Sequence, residues 1–272
     1  MSTEMAMRSI LTVRGEGVNE SAGHNEIMSD PRELGSASGV VAVFKPSGLA
    51  TQAPPGIASV ESWLRGRLHG AETGGYLGVP HRLDRPVSGV LLMAATPRAA
   101  RKLSRQFERR QVRKTYLAMV VPRDEAARQA LPPLVPAAAE WRDLVEKVVD
   151  EPRGRIAAVG AADAREALTL ASTWLRLADE ADGRAILRLE PLTGRMHQLR
   201  IQAAARGLPV VGDTLYGGAA ETAWGHGAQA AAIALHAWRI AYADPDTGAE
   251  VVVTAPLPAA WPAAARAAAQ AE

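Results

Sequence analysis

Apolar residues fall in short, bounded runs along the chain. Val40-Val41-Ala42-Val43-Phe44 is unbroken and stops at Pro46 and Gly48, the pattern of a strand buried on both faces. Val90 to Ala94 repeats it, and Lys114 to Val121 reads as a third strand. Leu168 to Leu177 and Arg184 to Leu192 pair across an Asp182-Gly183 turn, and Ala234 to Tyr242 and Ala249 to Thr254 form a last hairpin around residues 244–248. Helical spacing occurs in three places. Ser59 caps a helix running to His69, and Met196 to Ala205 is a helix closed by Gly207. Thr96 to Arg110 is the clearest: Thr96 caps, Pro97 takes the first position, and Ala99, Leu103 and Phe107 form the inner stripe. Strands outnumber helices and hairpins dominate. The pattern predicts an α+β fold with a mixed, largely antiparallel sheet flanked by helices.

Three stretches lack a readable period. Residues 1–38 are rich in Ser, Gly, Glu and Asn and read as a flexible N-terminal tail. Residues 262–272 form an alanine-rich C-terminal tail that extends a terminal helix or frays, which leaves 39–261 as one catalytic-sized domain. Residues 122–165 are dense in Pro and Ala and read as a peripheral insertion around Glu140-Trp141-Arg142-Asp143.

Composition removes whole classes of chemistry. Zero cysteines among 272 residues exclude disulfides, thiolate nucleophiles and cysteine-ligated metals. The six histidines show no paired-ligand spacing, so no metal is expected. No apolar run approaches the ~20 residues of a membrane span and no signal peptide is recognisable, so a cytoplasmic protein is expected. The net charge of +2 averages two unlike parts. Residues 1–36 carry six acids and three bases, whereas Arg98 to Lys114 holds eight bases and a single acid, Glu108. Of the 31 basic residues 27 are arginine, whose planar fork suits phosphates, so a polyanion partner competes with a merely solvated helix face.

Candidate chemistry concentrates in three blocks. In His81-Arg82-Leu83-Asp84-Arg85-Pro86-Val87-Ser88-Gly89 an extended backbone puts Arg82 and Asp84 on one face and Leu83 on the other. The flanking arginines favour an ionised Asp84. In Gly194-Arg195-Met196-His197-Gln198-Leu199-Arg200-Ile201-Gln202, His197 and Arg200 share one helix face. Lys114-Thr115-Tyr116 puts an aromatic on a strand. Each block alone also fits a structural role: an ion pair or turn at Asp84, a backbone cap at His197, a core aromatic at Tyr116.

Taken in order, Lys45-Pro46-Ser47-Gly48, the block at 81–89, Lys114 to Ala118 and Gly194 to Ile201 resemble the RluA family of RNA pseudouridine synthases. Gly212-Asp213-Thr214-Leu215-Tyr216-Gly217-Gly218 and Leu235-His236-Ala237 are similar to that family's closing motifs, so the resemblance runs from about Val40 to Pro256. It implies the pseudouridine synthase catalytic fold and isomerisation of uridine in structured RNA without metal or cofactor. Asp84 would be the catalytic aspartate, Tyr116 would stack on the uracil, and Arg200 would pair with Asp84 and hold it charged. Arg82 would fill the gap left by an extruded nucleotide, with Arg85, Arg195 and His197 as further RNA contacts. Leu199 and Ile201 would support the wall, and Arg105 and Arg109 are the expected phosphate contacts on the basic helix. A lone carboxylate suits an isomerisation that consumes no water, since no second acid stands in either block.

The sequence departs from the family pattern at Met196, where a small polar residue is usual, and at Gln202, where histidine is frequent. Large-subunit ribosomal RNA is the preferred target over transfer RNA, and the expected state is a monomer. A reading of another class, an RNA-binding ribosome assembly factor, stands beside the enzyme.

Overall fold

The computed structural model describes residues 11–13, 30–70, 75–177, 182–219 and 232–272. Eleven strands form one sheet: β1 (Leu11–Val13), β2 (Arg32–Ala37), β3 (Val40–Lys45), β4 (Ser88–Ala94), β5 (Arg113–Val120), β6 (Ala139–Lys147), β7 (Gly154–Ile156), β8 (Arg165–Arg176), β9 (Ala185–Pro191), β10 (Leu235–Ala243) and β11 (Glu250–Thr254). Their spatial order is β2-β3-β4-β10-β5-β9-β8-β6-β7, with β11 and β1 joined through β10. Among the described residues, only the strand pairs β4–β10 and β1–β11 are parallel. Five helices accompany the sheet: α1 (Val60–His69), α2 (Pro97–Glu108), α3 (Glu125–Gln129), α4 (Gln198–Ala205) and α5 (Ala263–Ala271). The expected mixed, largely antiparallel sheet with helices is what forms. Among the described residues no helix is long and apolar enough to cross a membrane.

The continuous apolar runs of β3 and β4 follow from burial on both faces. Val40, Ala42, Phe44 and Leu92 pack with Ala99 and Leu103 of α2, whereas Val41, Val43, Leu91 and Met93 pack with Leu64 of α1 and with Leu83. Thr96 Oγ1 accepts the Ala99 N–H and Pro97 opens α2, so this helix starts where its capping residues dictate. Gly89 has φ +124°, and a Cβ there would lie 2.2 Å from the Ala237 carbonyl oxygen. Only glycine lets β4 and β10 approach this closely.

The sequence reading needs correction at two stretches. Arg32–Ala37, assigned to the tail, is strand β2, paired antiparallel to β3 with Leu34 buried. Ser38 and Gly39 both have positive φ, the geometry of a tight hairpin turn, but a six-residue edge strand carries too little alternation to announce itself. The rest of residues 1–30 falls almost wholly outside the described residues, β1 excepted. Residues 122–165 are no peripheral insertion, since β6 pairs with β8 over seven positions and Trp141 is buried in the main core. At the C-terminus α5 buries Ala265 and packs Ala268 and Ala269 on that same core.

Candidate active site

A cleft of about 900 Å³ opens beside β5, between the loop leading into β4 and the start of α4. Its lining includes Arg82, Asp84, Tyr116, Arg195, His197 and Arg200.

Asp84 stands on a loop pinned on both sides through its backbone. Thr51 Oγ1 donates to the Leu83 carbonyl (2.9 Å) and accepts the Leu83 N–H (3.1 Å). On the other side the Arg85 carbonyl accepts from the Gly48 N–H (2.8 Å) and from Lys45 Nζ (3.0 Å). Lys45 is fully buried and also donates to the Pro46 and Leu49 carbonyls. Burial pushes its ammonium down to about 7, with Asp84 opposing that shift. Leu83 points into the core, as an extended backbone requires, which leaves the Asp84 side chain 36% exposed towards the cleft.

The opposite wall begins where β9 ends. His197 has φ +53°, and α4 starts at Gln198, two residues later than the sequence pattern places it. His197 Nε2 and Arg200 Nη1 each lie 3.7 Å from Asp84 Oδ2. The firm partner of Arg200 is another carboxylate. Arg200 Nε and Nη2 donate to Asp213 Oδ2 and Oδ1 at 2.6 and 2.7 Å, and the two side chains are only 5% and 1% exposed. Burial opposes the Arg200 charge, but the hydrogen bonds and charge of Asp213 outweigh it and raise the guanidinium further. The guanidinium lies 4.9 Å from the Tyr216 ring centre. Tyr216 Oη is 2.8 Å from His197 Nδ1 and accepts the Gly154 N–H at 3.0 Å, which ties β7 to this wall. Burial lowers the His197 imidazole, with Asp84 opposing and Arg200 reinforcing the shift.

Tyr116 lies on β5 between β9 and β10 and lines the cleft. Burial, then the Asp84 charge, holds its hydroxyl well above the usual phenol range, so it remains protonated.

The sequence-derived residues thus separate into groups. Asp84, Tyr116, His197 and Arg200 come together, with Arg82 exposed at the mouth and Arg195 on the rim, its Nε donating to the Glu166 carbonyl. Arg85 turns away: its Nε donates to the Gly48 carbonyl at 2.7 Å and it does not line the cleft. Arg105 and Arg109 lie on the exposed face of α2, outside the cleft. The expected pairing of Arg200 with Asp84 is present at 3.7 Å through Nη1, but Asp213 takes the shorter, bidentate contact. Asp213 and Tyr216 belong to the motif at 212–218, but the sequence pattern alone does not mark them as site residues. Their signal was an acid and an aromatic three apart between glycines. Of the two departures, Gln202 is fully buried and links α4 to Thr169, Trp141 and Asp143, a structural role. Met196 sits partly exposed on the cleft lining.

Comparison with known proteins agrees with this geometry. Residues 39–205 match the RNA pseudouridylate synthase family. The dual-specificity RNA pseudouridine synthase RluA of Yersinia pestis is 30% identical over 215 residues, covering 77% of this chain and 90% of that protein. The tRNA pseudouridine synthase C of Salmonella typhimurium is 34% identical over 195 residues, covering 70% and 72%. The solved structure of human RNA pseudouridylate synthase domain containing 4 aligns with a TM-score of 0.62 over 88% of this chain and 91% of that one; at 21% identity this shows the fold. The chain belongs to the RluA family of RNA pseudouridine synthases, isomerases that act on RNA.

Proposed function

We propose that Asp84 is the catalytic carboxylate and that the cleft receives one uridine flipped out of a structured RNA. The observation that carries this reading is the placement of Asp84 beside Tyr116, with His197 and Arg200 each 3.7 Å from its carboxylate at the floor of a cleft large enough for a nucleotide. Chemistry on a base requires extrusion from the stack, which costs a few kcal/mol. Stacking of the uracil on Tyr116 and insertion of Arg82 into the vacated position offset that cost. Arg195 and His197 contact the flanking backbone, and Arg105 and Arg109 bind phosphates. Arg85, held on Gly48, steadies the Asp84 loop from within.

The bond between C1′ and N1 breaks, the uracil turns, and C1′ bonds to C5. The C5 proton leaves and N1 gains one, so no atom is consumed. Positive charge developing on the sugar is met by an ionised Asp84. Asp213 is a positioning residue that holds Arg200 at its distance from Asp84. The protein works on cytoplasmic RNA as a monomer, without metal or cofactor.

Asp84→Asn tests the reading. The variant is expected to fold and bind RNA while its pseudouridine yield falls below detection; full activity would overturn the assignment. Mapping pseudouridine in total RNA from cells with and without the gene identifies the target, with large-subunit ribosomal RNA expected and a transfer RNA site as the other outcome. Rescue of a deletion phenotype by Asp84→Asn would favour the assembly-factor reading.

A further inference from the structure

We propose that the outer face of α2 and the turn at residues 244–248 form a phosphate-binding track for an RNA arm leaving the cleft. The inference rests on the RNA-modifying reading above and adds where the RNA beyond the target nucleotide runs.

The cations of α2 have a common direction. At 3.6 residues per turn, Arg98, Arg101, Lys102, Arg105 and Arg109 fall within an arc of about 100°. Opposite them Ala99 and Leu103 are buried, and Gln106 donates to the Ala243 carbonyl and accepts its N–H, which docks the helix on β10. The five cations then divide by partner. Arg98 pairs with Asp246 at 3.0 Å and Lys102 donates to the Pro245 carbonyl, so these two fix the turn against the helix. Among the described residues, the Arg101, Arg105 and Arg109 guanidinium groups meet no carboxylate and no carbonyl. Several other surface arginines are matched, among them Arg113 to Glu250, Arg142 to Glu140 and Glu166, and Arg155 to Glu146. Three successive unmatched arginines, spaced four residues or about 6 Å apart along the axis, form a ladder suited to successive phosphates.

A groove of about 410 Å³ lies beside the ladder, lined by Lys102, Arg105, Arg109, Gln111 and residues 244–248. Its acids do not oppose an anion strongly. Asp246 is paired, and Asp244 accepts from Ser38 Oγ and from the N–H groups of Asp246 and Thr247, so its oxygen is turned into the loop. The C-terminal end of α2 also borders the cleft, whose lining includes Glu108 and, beyond the helix, Arg110, Val112 and Arg113.

Two labelled transcripts test the track: a uridine-rich loop on a short stem that ends at the cleft, and the same loop on a long stem. Binding is measured by anisotropy across a salt series for the wild type and for R101Q/R105Q/R109Q, with the thermal melt as a control for folding. For the long stem the affinity of the variant is expected to fall at least tenfold and the slope of log K against log salt to drop by about two to three, as loss of three phosphate contacts requires. The loss on the short stem should be several-fold smaller. An unchanged salt slope, or an equal loss on both transcripts, would overturn the proposal. If no RNA yields pseudouridine while the long-stem difference persists, the track stands and the catalytic reading falls.

Discussion

On one wall of the cleft Asp84 stands on a loop held through its backbone, while on the other Arg200 is held through its own charge. Thr51, Gly48 and Lys45 grip the carbonyls and N–H groups on either side of Asp84 and leave its carboxylate open. Arg200 instead spends two of its nitrogens on Asp213 and offers Asp84 only the third. The difference assigns separate tasks. A carboxylate fixed only through its neighbouring backbone stays open to an incoming group, whereas a buried guanidinium has to be bonded or it will take the nearest anion.

The contrast is broken most severely at Asp213. Asp213→Asn leaves a 5%-exposed guanidinium short of an anion, and removing one partner of a buried pair costs about 3–5 kcal/mol. Arg200 is then free to close its 3.7 Å gap and take Asp84 as its partner. Urea unfolding should show the loss of stability, and kcat should fall about a hundredfold or more with KM much less affected. A variant that is destabilised but retains full kcat would show that Asp213 serves the fold alone.

The two walls were unequally legible in the sequence. The first is local: Arg82, Leu83 and Asp84 alternate faces because the backbone is extended, and nine adjacent residues carry the pattern. The second is assembled across the chain. Arg200 and Asp213 are separated by the turn after α4, and Gly154, which donates to Tyr216, belongs to a hairpin whose Pro- and Ala-dense approach hid it. Spacing put His197 and Arg200 on one face but could not say which carboxylate that face would meet. Edge strands β2 and β7 were missed for a related reason, because short strands owe their conformation to a partner rather than to their own pattern.

Lys45 allows the backbone-held wall to be loosened without touching a charge in the cleft. Lys45→Met removes three hydrogen bonds to carbonyls, including that of Arg85, and should lower kcat about tenfold. It also leaves a signature in pH. The folded-state value near 7 lies below the ordinary 10.5, so between these limits the unfolded chain binds a proton that the folded chain does not. Stability of the wild type therefore rises with pH across that window, by about 1.4 kcal/mol per unit from this group. Urea unfolding at pH 7 and pH 9 should show about 2 kcal/mol less gain in Lys45→Met than in the wild type. An equal gain in both proteins would mean that Lys45 keeps its proton in the native state across this window.

His81 gives the smallest effect and a finer test of the same wall. Its Nε2 accepts the Leu92 N–H at 2.8 Å, so the neutral ring must carry its proton on Nδ1, and the ring stacks on Phe107 with centres 4.6 Å apart. Protonation of Nε2 would remove the acceptor from a strand residue buried between β3 and β10. Burial, reinforced by the Lys114 charge, accordingly pushes the imidazole down to about 3. Because the unfolded value is near 6.5, the unfolded chain binds the extra proton below that pH, and native stability falls as the solution is acidified towards pH 3. His236 behaves alike, with a value near 4, and Ser88 Oγ lies 2.8 Å from its Nδ1. His81→Gln supplies an uncharged amide oxygen as a substitute acceptor for Leu92 and cannot take up the proton. Between pH 6.5 and 5.5 it should lose about 1 kcal/mol less stability than the wild type, read from urea midpoints. An identical loss in both proteins would show that His81 is protonated in the folded state, and that the strand leading from Asp84 does not depend on a neutral ring.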